Sequence, residues 1–330
     1  MRNPAARRHS AGAAAFLLAA LLCLPFCLQA QGTRATRQDR NAARPYFDPP
    51  RETLTVSNTA LYSWAATLLE GVERPAAVFS GNAELSAKDL AEEQEAQLTA
   101  ATAFVYYGGD GDGWLAEEFE THGTARRPMV RLGDEGSTAR GNEWLDPVKA
   151  RVAIRLLADE LKRLYPARVT VIDRNAQKFD DELRQLDAWA QRELTPVLGT
   201  AVYLDRPGLE PFIERYGLAI AGYLSSDFGK EGEQADVDRL AADARGRTGP
   251  VVMLRRPGQL PAPMIRLSQR VPLRFILVDP IESGEAKPQH YLRQMRQNVV
   301  NLVVGLSAAQ SIPPAFTPAP ESEEAAAEDA

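Results

Sequence analysis

The chain of 330 residues carries 38 Lys and Arg against 44 Asp and Glu, a formal net charge of -6, and 45% of it is hydrophobic. This acidic balance excludes a nucleic-acid surface, which needs a concentrated basic face. A length well beyond one core, with nearly half of it apolar, calls for two.

The amino end reads as a secretory signal. Arg2, Arg7 and Arg8 precede an apolar run from Ala11 to about Cys27 and small residues near Ala30, where cleavage is expected. Residues 1–30 are assigned to this signal, and the mature protein to the periplasm if the host is a Gram-negative bacterium. A lipid anchor needs a small residue just before its cysteine, but Cys23 follows Leu21-Leu22 and Cys27 follows Pro25-Phe26. Both cysteines leave with the signal, so no disulfide or thiolate metal site remains. The mature balance becomes 35 basic against 44 acidic residues. No later apolar stretch reaches the roughly 20 residues that span a bilayer, so the mature chain is not membrane-spanning.

Residues 31–52 are polar, basic and proline-containing and read as a flexible leader. Leu54-Thr55-Val56 is a short strand, and Asn58 or Thr59 caps a helix with Leu61, Trp64, Ala65, Leu68 and Leu69 on its apolar side. Val78-Phe79 ends the next strand before a Ser80-Gly81-Asn82 turn, and Ser86 caps a helix from Ala87 to about Ala100. Ala103 to Tyr107 is a strand closed by Gly108-Gly109, with Trp114, Leu115 and Phe119 on the helix that follows. This alternation predicts a parallel sheet with helices on its faces.

Residues 120–141 lack periodicity and are expected to be a surface loop. In Asn142-Glu143-Trp144-Leu145-Asp146-Pro147, Asp146 supplies the cap of a new helix and Pro147 suits its first position, where no amide donor is needed. Val148, Val152 and Leu156, joined by Ala153, Leu157, Leu161 and Leu164, form the face expected to pack inward.

From Asp173 to Leu194, Phe179, Leu183, Leu186, Ala190 and Leu194 recur at helical spacing, and Pro196 and Gly199 stop the run. One long helix therefore joins two parts of similar grammar. The second part alternates strand Ala201 to Leu204, strand Leu218 to Tyr223, helix Asp236 to Ala244 and strands Val251 to Leu254 and Phe275 to Val278. A last helix carries Leu292, Met295, Val299, Leu302 and Leu306, and Pro261, Pro263 and Pro272 make the segment before the final strand irregular. Beyond Ser311 the chain is rich in Pro, Ala and Glu and reads as a disordered acidic tail.

Several of these stretches resemble the periplasmic solute-binding proteins of zinc, manganese and iron ABC transporters. "NEWLDP" is similar to that family's HxWLDP motif. Residues 85–115, "AVYLDRPGLEPFIERYGLAIAG" and "ILVDP" with the helix "YLRQMRQNVVNLV" resemble further family segments in the same order. The resemblance implies an α/β fold: two parallel-sheet lobes bridged by one long rigid α-helix, with the ligand cleft between them. The expected parts are an N-terminal lobe at 53–172, a linking helix at 173–197, a C-terminal lobe at 198–310 and the tail at 311–330. It also implies a non-enzymatic role, capturing a divalent metal or related solute for an inner-membrane ABC permease, with the protein a monomer.

Carried over residue by residue, the family's ligand histidines fall at Gly81 or Asn82, at Asn142 and at Leu204, and its aspartate at Asp279. The metal candidates are thus Asp279, Asn142 and Glu84, with Glu143 as a further oxygen donor and one divalent ion as the only cofactor in view. A hard cation held by oxygens is one reading, and the other has Asp279 capping a loop beside an arginine. The alternative function is an interaction scaffold that keeps the fold without binding metal. His122 and His290 lack paired metal-ligand spacing, and Gly109-Asp110-Gly111-Asp112-Gly113 reads as a turn, since Trp114 and Leu115 stand where a calcium loop needs an oxygen and a glycine. Asp205 pairs with Arg206, caps the next helix or takes part in the cleft. No GxSxG, no nucleophilic cysteine and no HExxH is present in the mature part.

Overall fold

The computed structural model describes residues 53–81, 85, 88–122, 126–134, 142–227, 230–246 and 251–310. The expected signal, leader and acidic tail lie outside the described residues, as do Asn82, Glu84, Ser86 and Ala87.

Two all-parallel four-stranded sheets carry the fold. The first contains β1 (Thr53–Val56), β2 (Ala76–Ala77), β3 (Ala101–Tyr106) and β4 (Met129–Arg131) in the order β2-β1-β3-β4. The second contains β5 (Ala201–Leu204), β6 (Ala219–Tyr223), β7 (Val251–Arg255) and β8 (Leu273–Leu277) in the order β6-β5-β7-β8. Parallel neighbours need crossover segments. In the first lobe these are α1 (Thr59–Leu68), α2 (Glu92–Ala100), α3 (Gly109–Asp112) and α4 (Leu115–Thr121).

Between the lobes run α5 (Pro147–Leu164) and α6 (Val169–Leu194), the latter 26 residues long. α7 (Glu210–Arg215), α8 (Gln234–Arg245) and α9 (Ala262–Ser268) link the strands of the second sheet, and α10 (His290–Gln310) closes the chain. α6 buries Ile172, Phe179, Leu183, Leu186, Ala190 and Leu194 along one stripe and packs against α1, α5 and α10. α10 also lies on β8 and α1, so the last helix braces both lobes.

Local chemistry sets the helix starts that were expected. Asn58 accepts the Leu61 amide with its side chain, and Asp146 accepts the Val148 amide at 2.8 Å with Pro147 in the first turn. Other expectations are corrected. Val148, Val152 and Leu156 are exposed, Val152 by 62%, because α5 turns its Ala150, Ala153, Ile154, Leu157 and Leu161 row inward. Both rows repeat at helical spacing, and the neighbouring helix decides which is covered.

The stretch 120–141 holds β4, a three-residue strand at the edge of its sheet, too short to show a period. β2 lies at Ala76–Ala77, before Val78-Phe79. α2 begins after Ala91, where Gln94 Oε1 takes the Ala91 amide, and residues 88–91 are irregular. The proline-rich segment contains α9, since Pro263 sits in the first turn, where its missing amide leaves no hydrogen bond unmade.

A candidate inter-lobe site

The loops at the carboxyl ends of both sheets meet between the lobes, where parallel sheets bind their ligands. From the first lobe come Gly81, after β2, and Asn142, which precedes a 3-10 turn at Glu143–Leu145. From the second come Leu204 at the end of β5 and Asp205 after it, Arg256 after β7, and Asp279 to Glu282 after β8. Several bonds tie the sides together. The Gly81 amide donates to Gly284 O at 2.7 Å, Trp144 Nε1 to Pro280 O at 2.7 Å and the Ala60 amide to Ile281 O at 3.1 Å. Trp144 O in turn accepts the Tyr291 hydroxyl at 2.6 Å.

Asn142 is fully buried, and its Nδ2 donates to Glu282 Oε1 at 2.5 Å. Its Oδ1 is buried with no hydrogen-bond partner among the described residues. Asp279 Oδ1 accepts the Ile281 amide at 2.7 Å, and the Asp279 backbone exchanges two hydrogen bonds with the Asn298 side chain. Burial pushes the Asp279 carboxyl up to about 6; the Ile281 amide opposes this, Glu282 adds to it and Arg256 opposes it. Asp279 is thus a loop cap with an arginine nearby, and no bond joins it to Asn142.

Arg256 is the cation of the site. Its Nη1 donates to Asp205 Oδ1 at 2.9 Å and its Nη2 to Pro207 O at 2.7 Å. Asp205 Oδ1 also takes the Arg206 amide at 2.8 Å, so Asp205 serves the arginine after the neighbouring strand β7 as well as its own turn. Glu210 lies beside them, accepting the Gly208 amide at 2.5 Å, with burial pushing its carboxyl up and the Gly208 amide and Arg256 drawing it back. Leu204 is fully buried in the core.

The structure therefore brings Asn142 and Asp279 to one region with Glu282 between their loops, while Glu84 lies outside the described residues. Glu143 turns to Lys149 Nζ at 2.7 Å. His122 Nδ1 contacts Glu118 O at 2.8 Å, and His290 is buried, its Nδ1 meeting Arg293 Nη2 at 3.2 Å. Burial lowers the His290 ring's proton affinity, and Arg293 lowers it further. In the glycine-rich run, the fully buried Asp112 carboxylate accepts Ser57 Oγ and the Tyr107 and Gly108 amides and closes a turn. Among the described residues no three His, Cys, Asp or Glu side chains converge as a metal would need.

Sequence reasoning missed Glu282, Arg256 and Glu210. The only signals were positional: Glu282 three residues after Asp279, and Arg256 directly after a strand's carboxyl end.

Two parallel α/β lobes joined by a long helix, with polar loops meeting between them, form the two-lobed fold of a solute-binding protein. The chain belongs to the ZnuA family, zinc-uptake complex component A, periplasmic, whose profile matches residues 55–305. Members of this non-catalytic family are the metal-binding components of ABC uptake systems and work with a permease and an ATPase.

Among solved structures, the chain is similar to ZnuA (17% identity, TM-score 0.65, covering 77% of this chain and 98% of that one). It is similar to the binding protein FpvC of Pseudomonas aeruginosa in complex with Mn2+ (16%, TM-score 0.67, 77% and 98%). It is also similar to the periplasmic zinc-binding protein TroA of Treponema pallidum (17%, TM-score 0.64, 77% and 99%). No curated protein matches the chain in sequence. No helix among the described residues is long and apolar enough to cross a membrane.

Proposed function

We propose that this chain is the solute-binding component of a metal-type ABC uptake system in which the protein's own side chains occupy the inter-lobe position, which takes no first-row metal ion. The carrying observation is the pair of bonds Asn142–Glu282 and Arg256–Asp205 at the loops where the family's ligands are expected. A permanently charged guanidinium beside Asp205 and Asp279 supplies the positive charge that a metal would otherwise bring.

Among the described residues the donors left over are Asn142 Oδ1, Glu210 Oε1 and part of Asp279, with no imidazole among them. Zinc takes four ligands, commonly nitrogen or sulfur, and a hard cation takes six or more oxygens, so this set fits neither. The family resemblance supports the remaining parts of the reading: export after loss of residues 1–30, a periplasmic, monomeric, non-enzymatic protein, lobes at 53–172 and 198–310 around the linking helix at 173–197, and an ABC permease as partner.

The test is a melting curve of the chelator-stripped protein with zinc and with manganese, because an ion that binds only the folded state must raise the midpoint. A midpoint unchanged by either ion is expected. A one-to-one metal with a clear rise, lost in Asp279→Ala, would instead make Asp279 a ligand and overturn the proposal.

A second reading, an interaction scaffold that keeps the fold, is favoured by the bonds that stitch the lobes shut, Gly81–Gly284 and Trp144–Pro280. Binding of the chain to a reconstituted metal-type permease would exclude it.

A further inference from the structure

A cavity of about 560 Å³ lies within the C-terminal lobe, bounded by the loops that follow β5, β6 and β7. In the order β6-β5-β7-β8 the chain leaves β5 toward one side and later returns on the other. The loops after β5 and β7 therefore diverge, and a crevice is left between them, the place where open parallel sheets take ligands. The size falls within the roughly 300–1,000 Å³ of small-molecule sites. Asn142, Asp279 and Glu282 do not line it, but Asp205 and Arg256 do, so the cavity adjoins the inter-lobe position and shares that ion pair with it.

Its charge is distinctive. Arg206, Lys230, Arg255 and Arg256 line the cavity against Asp205 and Glu231, and Asp205 is already engaged by Arg256. A chain with a net charge of -6 thus gathers an excess of cations around one hollow. Arg256 is only 9% exposed, and the Nε atoms of both Arg256 and Arg206 are buried without a hydrogen-bond partner among the described residues.

A buried donor left without an acceptor is costly, and a guanidinium meets a carboxylate or phosphate through two parallel N–H bonds. Arg255 Nη1 is anchored on the carbonyls of Arg256 and Gly258, which fixes the loop bearing these groups. Lys230 pairs with Asp227 at 2.9 Å on the exposed rim.

We propose that this cavity is a binding site for a small anion bearing a carboxylate or phosphate group. The oxyanion accepts from the guanidinium groups of Arg206 and Arg256, and Lys230 adds attraction at the entrance.

The test is isothermal titration of the full chain with citrate and, separately, with inorganic phosphate, against sodium chloride at matched ionic strength. Saturable binding of at least one probe is expected. In Arg206→Gln that binding falls by about tenfold, the value of one charge-assisted hydrogen bond, and in the rim variant Lys230→Gln by a smaller factor. Citrate alone binding identifies a carboxylate solute, and phosphate alone a phosphorylated or inorganic one. Binding of neither probe, or binding that both variants leave unchanged while their melting midpoints match the parent, overturns the proposal.

Discussion

The two lobes share one strand order and differ in what stands at the carboxyl ends of their strands. In the first sheet the described residues at that end are tied to one another. Asp112 fastens Ser57, Tyr107 and Gly108, and Trp64 meets Tyr107 and Tyr291 edge to face while Tyr107 meets Trp144 in the same way. In the second sheet the corresponding end carries an arginine-lined cavity and the Arg256–Asp205 pair. A shared fold fixes where a site can form, and the side chains at the strand ends decide whether one does.

The comparison breaks most readily at the tied end. Trp144→Ala removes a fully buried ring and its bond to Pro280 O, and urea unfolding should register a loss of about 3–5 kcal/mol. A loss under about 1 kcal/mol would mean that the aromatic cluster contributes little.

At the charged end, Arg256→Met strands Asp205 with a single amide donor, and a loss of about 2–3 kcal/mol is expected from the same measurement. An unchanged midpoint there would show the pair to be solvated rather than structural.

A smaller effect tests the packing of α5 against α6. The Arg151 hydrogen bond holds the Asp180 carboxyl down to about 2, with burial opposing and Arg184 assisting, and Asp180 is 15% exposed. A carboxyl lowered on folding stabilises above its unfolded range and loses that contribution as pH falls from about 4 to about 2. Asp180→Asn should therefore cost about 2 kcal/mol at pH 7 and close to nothing near pH 2. A pH-independent difference would assign the effect to packing. The smallest change is Val152→Ser, on the exposed row of α5, expected within about 0.5 kcal/mol of the parent. A loss above about 1 kcal/mol would mean that a partner covers this row.

Legibility in the sequence followed the range of each interaction. The Asp146 cap spans two residues, and the α6 stripe is one unbroken period, so both could be read directly. The choice between two apolar rows on α5 depends on α6, which the local pattern of α5 does not contain. The inter-lobe partners are more distant still: Asn142 and Glu282 lie 140 positions apart, and Asp205 and Arg256 51 apart. Family resemblance pointed to Asn142, Leu204 and Asp279. It did not point to Glu282 or Arg256, because these side chains answer to the neighbours present in this chain.

The most direct test of the central claim is the intact mass of the folded, chelator-stripped protein sprayed from a solution holding equimolar zinc. The account predicts the metal-free mass alone, because Glu282 holds Asn142 and Arg256 holds Asp205 at the inter-lobe position. A dominant species heavier by one zinc ion, and absent from Asp279→Ala, would contradict it.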